Sequence, residues 1–158
     1  MSSRSAATST LDKLDQVNLA QLDPQKAISF FGKPDIHEIV GQETSQEALV
    51  YLNTQDPRSP LLSLIFDSKT KKLVSANWFS TNKDTGLNFS KIQKRYPNEV
   101  FEKPSAIKDG AYGAKLSRYK SSTGPLRVFL RDESDEVSAL SWVLVEDTNQ
   151  SKRRPTSH

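Results

Sequence analysis

The sequence predicts an α+β fold: two tandem helix-plus-three-strand modules sharing one antiparallel sheet, with the helices packed on one face. Three observations predict it. Two short helical signals, at 23–31 and 88–96, are each followed by runs that alternate apolar and polar side chains. Within each half the last two such runs are joined by short polar turns, the mark of an antiparallel hairpin. The whole pattern then restarts about 64 residues further on.

The elements follow in chain order. Met1 to Thr10 is rich in Ser, Ala and Thr and carries almost no large apolar side chain, so it is not expected to repay its ordering entropy. Leu11, Leu14 and Leu22 mark a weaker amphipathic stretch. Asp23-Pro24 opens a helix, because Asp caps the first free N–H groups and Pro lacks only an N–H that would be unpaired there. Ala27, Ile28 and Phe31 keep helical spacing; Gly32 and Pro34 stop it. A loop is expected through Gly41, then strands at 48–53, 61–67 and 73–79, with turns at 53–60 and 68–71. In the second half Asn88 caps a helix carrying Phe89, Ile92 and Tyr96, stopped by Pro97. A polar loop runs through Gly113, and strands are expected at 114–119, 126–132 and 136–145.

The two halves align. Asp23 and Asn88, Phe31 and Tyr96, Asp67 and Asp132, Val74 and Val137, and the two tryptophans Trp78 and Trp142 all stand close to one offset of about 64 residues. Each pair has the same expected structural role. One such unit alone buries too little apolar area to be stable, which favours joining the two edge to edge. The resulting division is a flexible N-terminal segment at 1–18, module 1 at 19–86, module 2 at 87–147 and a disordered basic tail at 148–158.

Composition narrows the function. With no cysteine among 158 residues, disulfides, thiolate metal sites and cysteine nucleophiles are excluded. The net charge of +3 equals Lys152, Arg153 and Arg154 of the tail, so the basic balance belongs to the tail and not to the folded part. Nucleic acid is therefore expected to meet at most the tail, weakly, through Coulomb attraction. No run approaches the roughly 20 apolar residues of a membrane span, and no apolar segment follows Arg4 as a secretory signal would require.

No catalytic, cofactor or metal residue is assigned. His37 and His158 are the two histidines, and His37-Glu38 lacks the second histidine of a zinc-protease helix because position 41 is Gly. His37 reads as a surface loop residue. Gly110-Ala111-Tyr112-Gly113 has no trailing Lys-Ser/Thr for phosphates, and there is no Gly-x-Ser-x-Gly elbow. The acidic turn of Asp132, Glu133, Asp135 and Glu136 lacks the spacing of a calcium loop.

An interaction surface is better supported. In 126–132, Leu126, Val128 and Leu130 form one face and are expected in the core, while Arg127, Phe129 and Arg131 form the other. An aromatic between two arginines is the residue mix enriched at protein interfaces. Lys115 and Tyr119 are expected to project with them from the neighbouring strand, and Trp142 from the last strand. Closure of a core by the Leu11–Leu22 stretch is the competing placement for Phe129 and Trp142. These six residues are the candidate partner-binding set.

The runs KAISFFGKPD, ALVYLN and LLSLIFDSKTKKLVSANW resemble the SmpA/OmlA domain of outer-membrane assembly lipoproteins. Gly32, Pro34, Tyr51 and Phe66-Asp67 carry the likeness. The tandem arrangement resembles the β-lactamase-inhibitor-protein fold. The likeness spans roughly 19–145, is looser in the second half, and rests on turns and caps. It implies a non-catalytic, protein-binding module of the bacterial cell envelope, periplasmic or lipoprotein-like, without cofactor. The lipobox cysteine and the inhibitor disulfides are absent, and Tyr96-Pro97 replaces the Gly-x-Pro stop, so β-lactamase inhibition is not implied. A small-ligand or catalytic α+β domain with a cupped sheet pocket is the alternative, and a cytoplasmic setting the alternative location.

Overall fold

The computed structural model describes residues 6–41, 45–53, 60–80, 86–107, 116–131 and 134–145. Two capped helices start the two halves. In α2 (Pro24–Phe31), the Asp23 carboxylate accepts the Lys26 backbone N–H at 2.8 Å, and Gly32 ends the helix at φ +94°, a left-handed backbone that disfavours any side chain. In α3 (Phe89–Arg95), the Asn88 side chain accepts the Lys91 N–H at 2.9 Å, and the Tyr96 N–H donates back to Ile92. Both caps are those the sequence predicts.

Eight strands follow: β1 (Ile36–Val40), β2 (Gln46–Leu52), β3 (Pro60–Asp67), β4 (Leu73–Phe79), β5 (Ser105–Ile107), β6 (Leu116–Lys120), β7 (Leu126–Arg131) and β8 (Val137–Val143). They make one antiparallel sheet in the order β1-β2-β3-β4-β8-β7-β6-β5. The predicted fold class is corrected here. The chain does not form two helix-plus-three-strand modules; it forms a single eight-stranded sheet with a few short helices. The unpredicted strands are the two edges, β1 and β5. Every residue of β1 is exposed, so Ile36, His37, Glu38, Ile39 and Val40 show no in–out alternation to read. Strand β5 has three residues, below the length at which a period shows. His37 therefore stands in a strand and not in a loop.

A second correction concerns the N-terminus. The segment expected to be flexible through residue 18 contains α1 (Ala6–Gln16), which buries Leu11 completely and leaves Leu14 3% exposed. Leu11 and Leu14 join a core that also takes Leu22 and Ala27, Ile92 of α3, and Leu49, Leu62, Leu64, Phe66, Trp78, Val128 and Leu140 of the sheet. Arg95 of α3 holds α1 in place: its guanidinium donates to Asp12 and Asp15 at 2.6–2.7 Å, and the Tyr96 hydroxyl donates to Asp15 at 2.7 Å. Burial drives the Tyr96 phenol far above its usual range, with the Asp15 carboxylate adding to the effect. The first helix is thus tied to the start of the second half.

Candidate functional site

Strand register sorts every sheet residue onto one of two faces, because directly opposed residues in an antiparallel pair point the same way. Tyr51, Leu62, Trp78 and Leu140 are opposed in sequence across β2, β3, β4 and β8, and they face the helices. One residue over, the row Ile36, Val50, Ser63, Asn77, Ser141, Arg127 and Lys120 crosses seven strands on the other face. The next row there is Phe79, Ala139, Phe129, Arg118 and Ser105. Among the described residues, the three α-helices put Leu11, Leu14, Ala27 and Ile92 into the core on the opposite side.

The candidate residues divide between these faces. Leu126, Val128 and Leu130 are buried, while Arg127 and Phe129 are half-buried and Arg131 is exposed on the open face. Tyr119 and Trp142 are not with them. Tyr119 opposes Val128, so it faces the helices, where its ring stacks on Phe89 at 4.1 Å. Trp142 opposes Leu126 and Ala76, is 8% exposed, and meets Tyr96 edge-on at 6.1 Å. Trp142 belongs to the core, and Tyr119 is partly buried against it. Lys115 lies outside the described residues.

Sequence reading missed Arg118 and Lys120. Alternation in Leu116–Lys120 separates them from Tyr119, but only the pairing Arg118↔Phe129 and Lys120↔Arg127 says which set shares the face of Phe129. Arg118, Lys120, Arg127 and Arg131 thus join Phe129 on β6 and β7. Strands β5 to β8 hold these four bases and no acid; strands β1 to β4 hold Glu38, Glu47 and Asp67 and no Lys or Arg. Among the described residues, the Nε of Arg118 is the one buried side-chain polar atom without a hydrogen-bond partner. Between basic strip and aliphatic end lie small polar groups, with the Ser141 hydroxyl donating to Asn77 at 2.7 Å.

A second cluster sits on the helix face at the opposite end. The carboxylate of Glu47, a residue 7% exposed, meets His37 Nε2 at 2.6 Å and accepts from Lys71 Nζ at 2.9 Å. Burial opposes its ionisation, but the hydrogen bonds from His37 and Lys71 outweigh that and hold its pKa below the ordinary value. A cavity of about 430 Å³ beside it is lined by Asp23, Pro24, Gln25, Glu47 and Lys71. Its acids are engaged: both Glu47 oxygens are paired, and Asp23 caps α2. Nearby, burial and the Asp35 charge push the Tyr51 phenol up to about 12, and its hydroxyl donates to the Gly32 carbonyl at 2.7 Å. No group of three or more His, Cys, Asp or Glu able to hold a metal occurs among the described residues.

Comparison with known protein families, characterised proteins and solved structures returns no match for this chain.

Proposed function

We propose that this chain is a non-catalytic binding module that takes a protein partner on the open face of its sheet. The observation that carries the reading is Phe129, half-buried between Arg127 and Arg131 on the face opposite the helices, while its strand neighbours Val128 and Leu130 are core. An aromatic ring buries a large area at small entropic loss, and arginines beside it add direction through their hydrogen bonds. The alternative pocket reading asks for converging titratable groups open to a ligand, and the Glu47 cluster instead pairs its carboxylate internally.

A bacterial-envelope setting belongs to the same proposal and rests on the likeness of 26–35, 48–53 and 61–78 to outer-membrane assembly lipoproteins. Among the described residues, no helix is long and apolar enough to cross a membrane.

The test compares the full chain with the F129A/R131A double variant as bait in lysate of the native organism. The expected result is a protein captured by the first and lost by the second, with thermal midpoints that agree within a few degrees. Equal capture by both chains rejects the reading. A collapse of the midpoint would place Phe129 in the core instead.

A further inference from the structure

We propose that two copies of this chain join edge to edge through β1, antiparallel and centred on Ile39, to make one sheet of twice the width. The inference goes beyond the open-face reading and does not depend on it. Only β1 and β5, the outermost strands of the order, have an edge without a strand neighbour. A bare edge offers a row of N–H and C=O groups to another strand, and folded chains blunt it with Lys, Pro, bulges or shortness. Strand β5 is blunted: it has three residues and follows Pro104 directly. Strand β1 is not. Its five residues include no Lys, Arg or Pro, and they pair with β2 in unbroken register. All five are exposed, and Ile39, at 65%, is the most exposed large hydrophobic side chain among the described residues.

A twofold axis normal to the sheet, the symmetry of a closed dimer, sets same-face residues of two β1 strands against one another in three central registers. Centred on Glu38, it opposes two carboxylates, which is unfavourable. Centred on His37, it sets Ile39 against the second copy's Asp35, an apolar side chain against an acid. Centred on Ile39, it brings the two Ile39 side chains together, with Val40 against Glu38 and His37 against Gly41. The two Glu38 side chains are then diagonal, roughly 7–8 Å apart, and not opposed.

A strand able to pair here must carry an aliphatic side chain opposite Ile39 and no acid opposite Glu38, and β1 itself meets both conditions. Charge over the whole sheet also favours a second copy. Arg118, Lys120, Arg127 and Arg131 stand on β6 and β7, at the far end of the strand order, so joining at β1 keeps the two basic ends apart. Beside β1, the Glu47 carboxylate is balanced by Lys71. Twofold pairing uses both β1 edges and leaves a blunted β5 at each end, so association closes at two copies. Because the axis is normal to the sheet, both open faces lie on one side of the wider sheet.

The experiment measures mass by light scattering for the full chain and for Ile39→Lys, in a dilution series from about 1 mM to about 10 µM. The expected result is a mass rising about twofold from the 17.7 kDa of one chain, and no rise in Ile39→Lys, where two cations would be opposed. A mass of one chain at every concentration, an equal rise in Ile39→Lys, or growth beyond two copies overturns the proposal. Because the chain has no cysteine, Ile39→Cys places a single thiol at the centre of the pairing. Oxidised glutathione should link it into a covalent dimer about tenfold faster than Glu38→Cys, since opposed Cβ atoms approach disulfide distance and diagonal ones do not. This second pair of variants keeps the test valid if Ile39→Lys fails to fold. Cross-linking no faster at position 39 than at 38 overturns the pairing. A rise in mass abolished by Phe129→Ala and kept in Ile39→Lys assigns the contact to the open face and overturns the proposal.

Discussion

The two outer ends of the sheet are secured by opposite chemistries. At the β1–β2 end a buried carboxylate, Glu47, ties His37 of the edge strand to Lys71 of the β3–β4 turn. At the β5–β7 end rings do the work: Phe89 of α3 stacks on Tyr119 at 4.1 Å and meets Phe101 edge-on at 5.3 Å. The contrast extends to the open face. Where charge is engaged in holding the fold, the neighbouring outer face exposes Ile36, Glu38 and Val40; where rings hold the helix side, the outer face is basic. A sheet that is even in architecture is uneven in chemistry.

The comparison can be broken at the join of the two ends. Trp78 of β4 is fully buried and Trp142 of β8 is 8% exposed. Trp78→Ala should lower stability by about 3–5 kcal/mol, and Trp142→Ala by less, as read from urea unfolding midpoints. Equal losses would mean that both tryptophans are equally enclosed. Next in size is the tie between α1 and α3. Arg95→Ala leaves Asp12 and Asp15 without their guanidinium and should cost about 1–2 kcal/mol, with faster amide exchange confined to α1. Uniform exchange would show that α1 does not depend on this pair.

Acid unfolding sharpens the contrast between carboxylate and rings. The pKa of Glu47 is lower in the folded chain than its ordinary 4.5. Its ionised form therefore contributes stability that is fully present above 4.5 and fades as pH falls through the folded value. Glu47→Gln should flatten the loss of stability below about pH 4.5, whereas Tyr119→Phe should leave the acid limb unchanged. A limb that Glu47→Gln does not alter would remove this carboxylate as its source. The smallest effect belongs to the open face: Phe129→Ala should change stability by about 1 kcal/mol or less by chemical denaturation, because its ring is not in the core. A loss comparable to that of Trp142→Ala would merge the two faces.

Inner and edge strands differ also in how far they can be read. The helix caps Asp23 and Asn88, the stop at Gly32, and β3, β4 and β7 were legible because each is set by neighbours within a few residues. The edge strands were not. In β1 every side chain is exposed, so pairing with β2 alone makes it a strand. Three of the candidate site residues, Arg127, Phe129 and Arg131, follow from alternation within one strand. Tyr119 and Trp142 went to the wrong face because alternation inside a strand says nothing about which of its faces aligns with the next.

By itself the sequence determined the local order of this protein: which short segments become capped helices, which alternate as strands, and that no thiol chemistry is present. Those properties depend on side chains close together along the chain. Only the tertiary structure decided that β4 joins β8, that α1 closes the core, and that Arg118 and Lys120 stand with Phe129. Strand register is a long-range choice, and a shift of one residue exchanges the two faces.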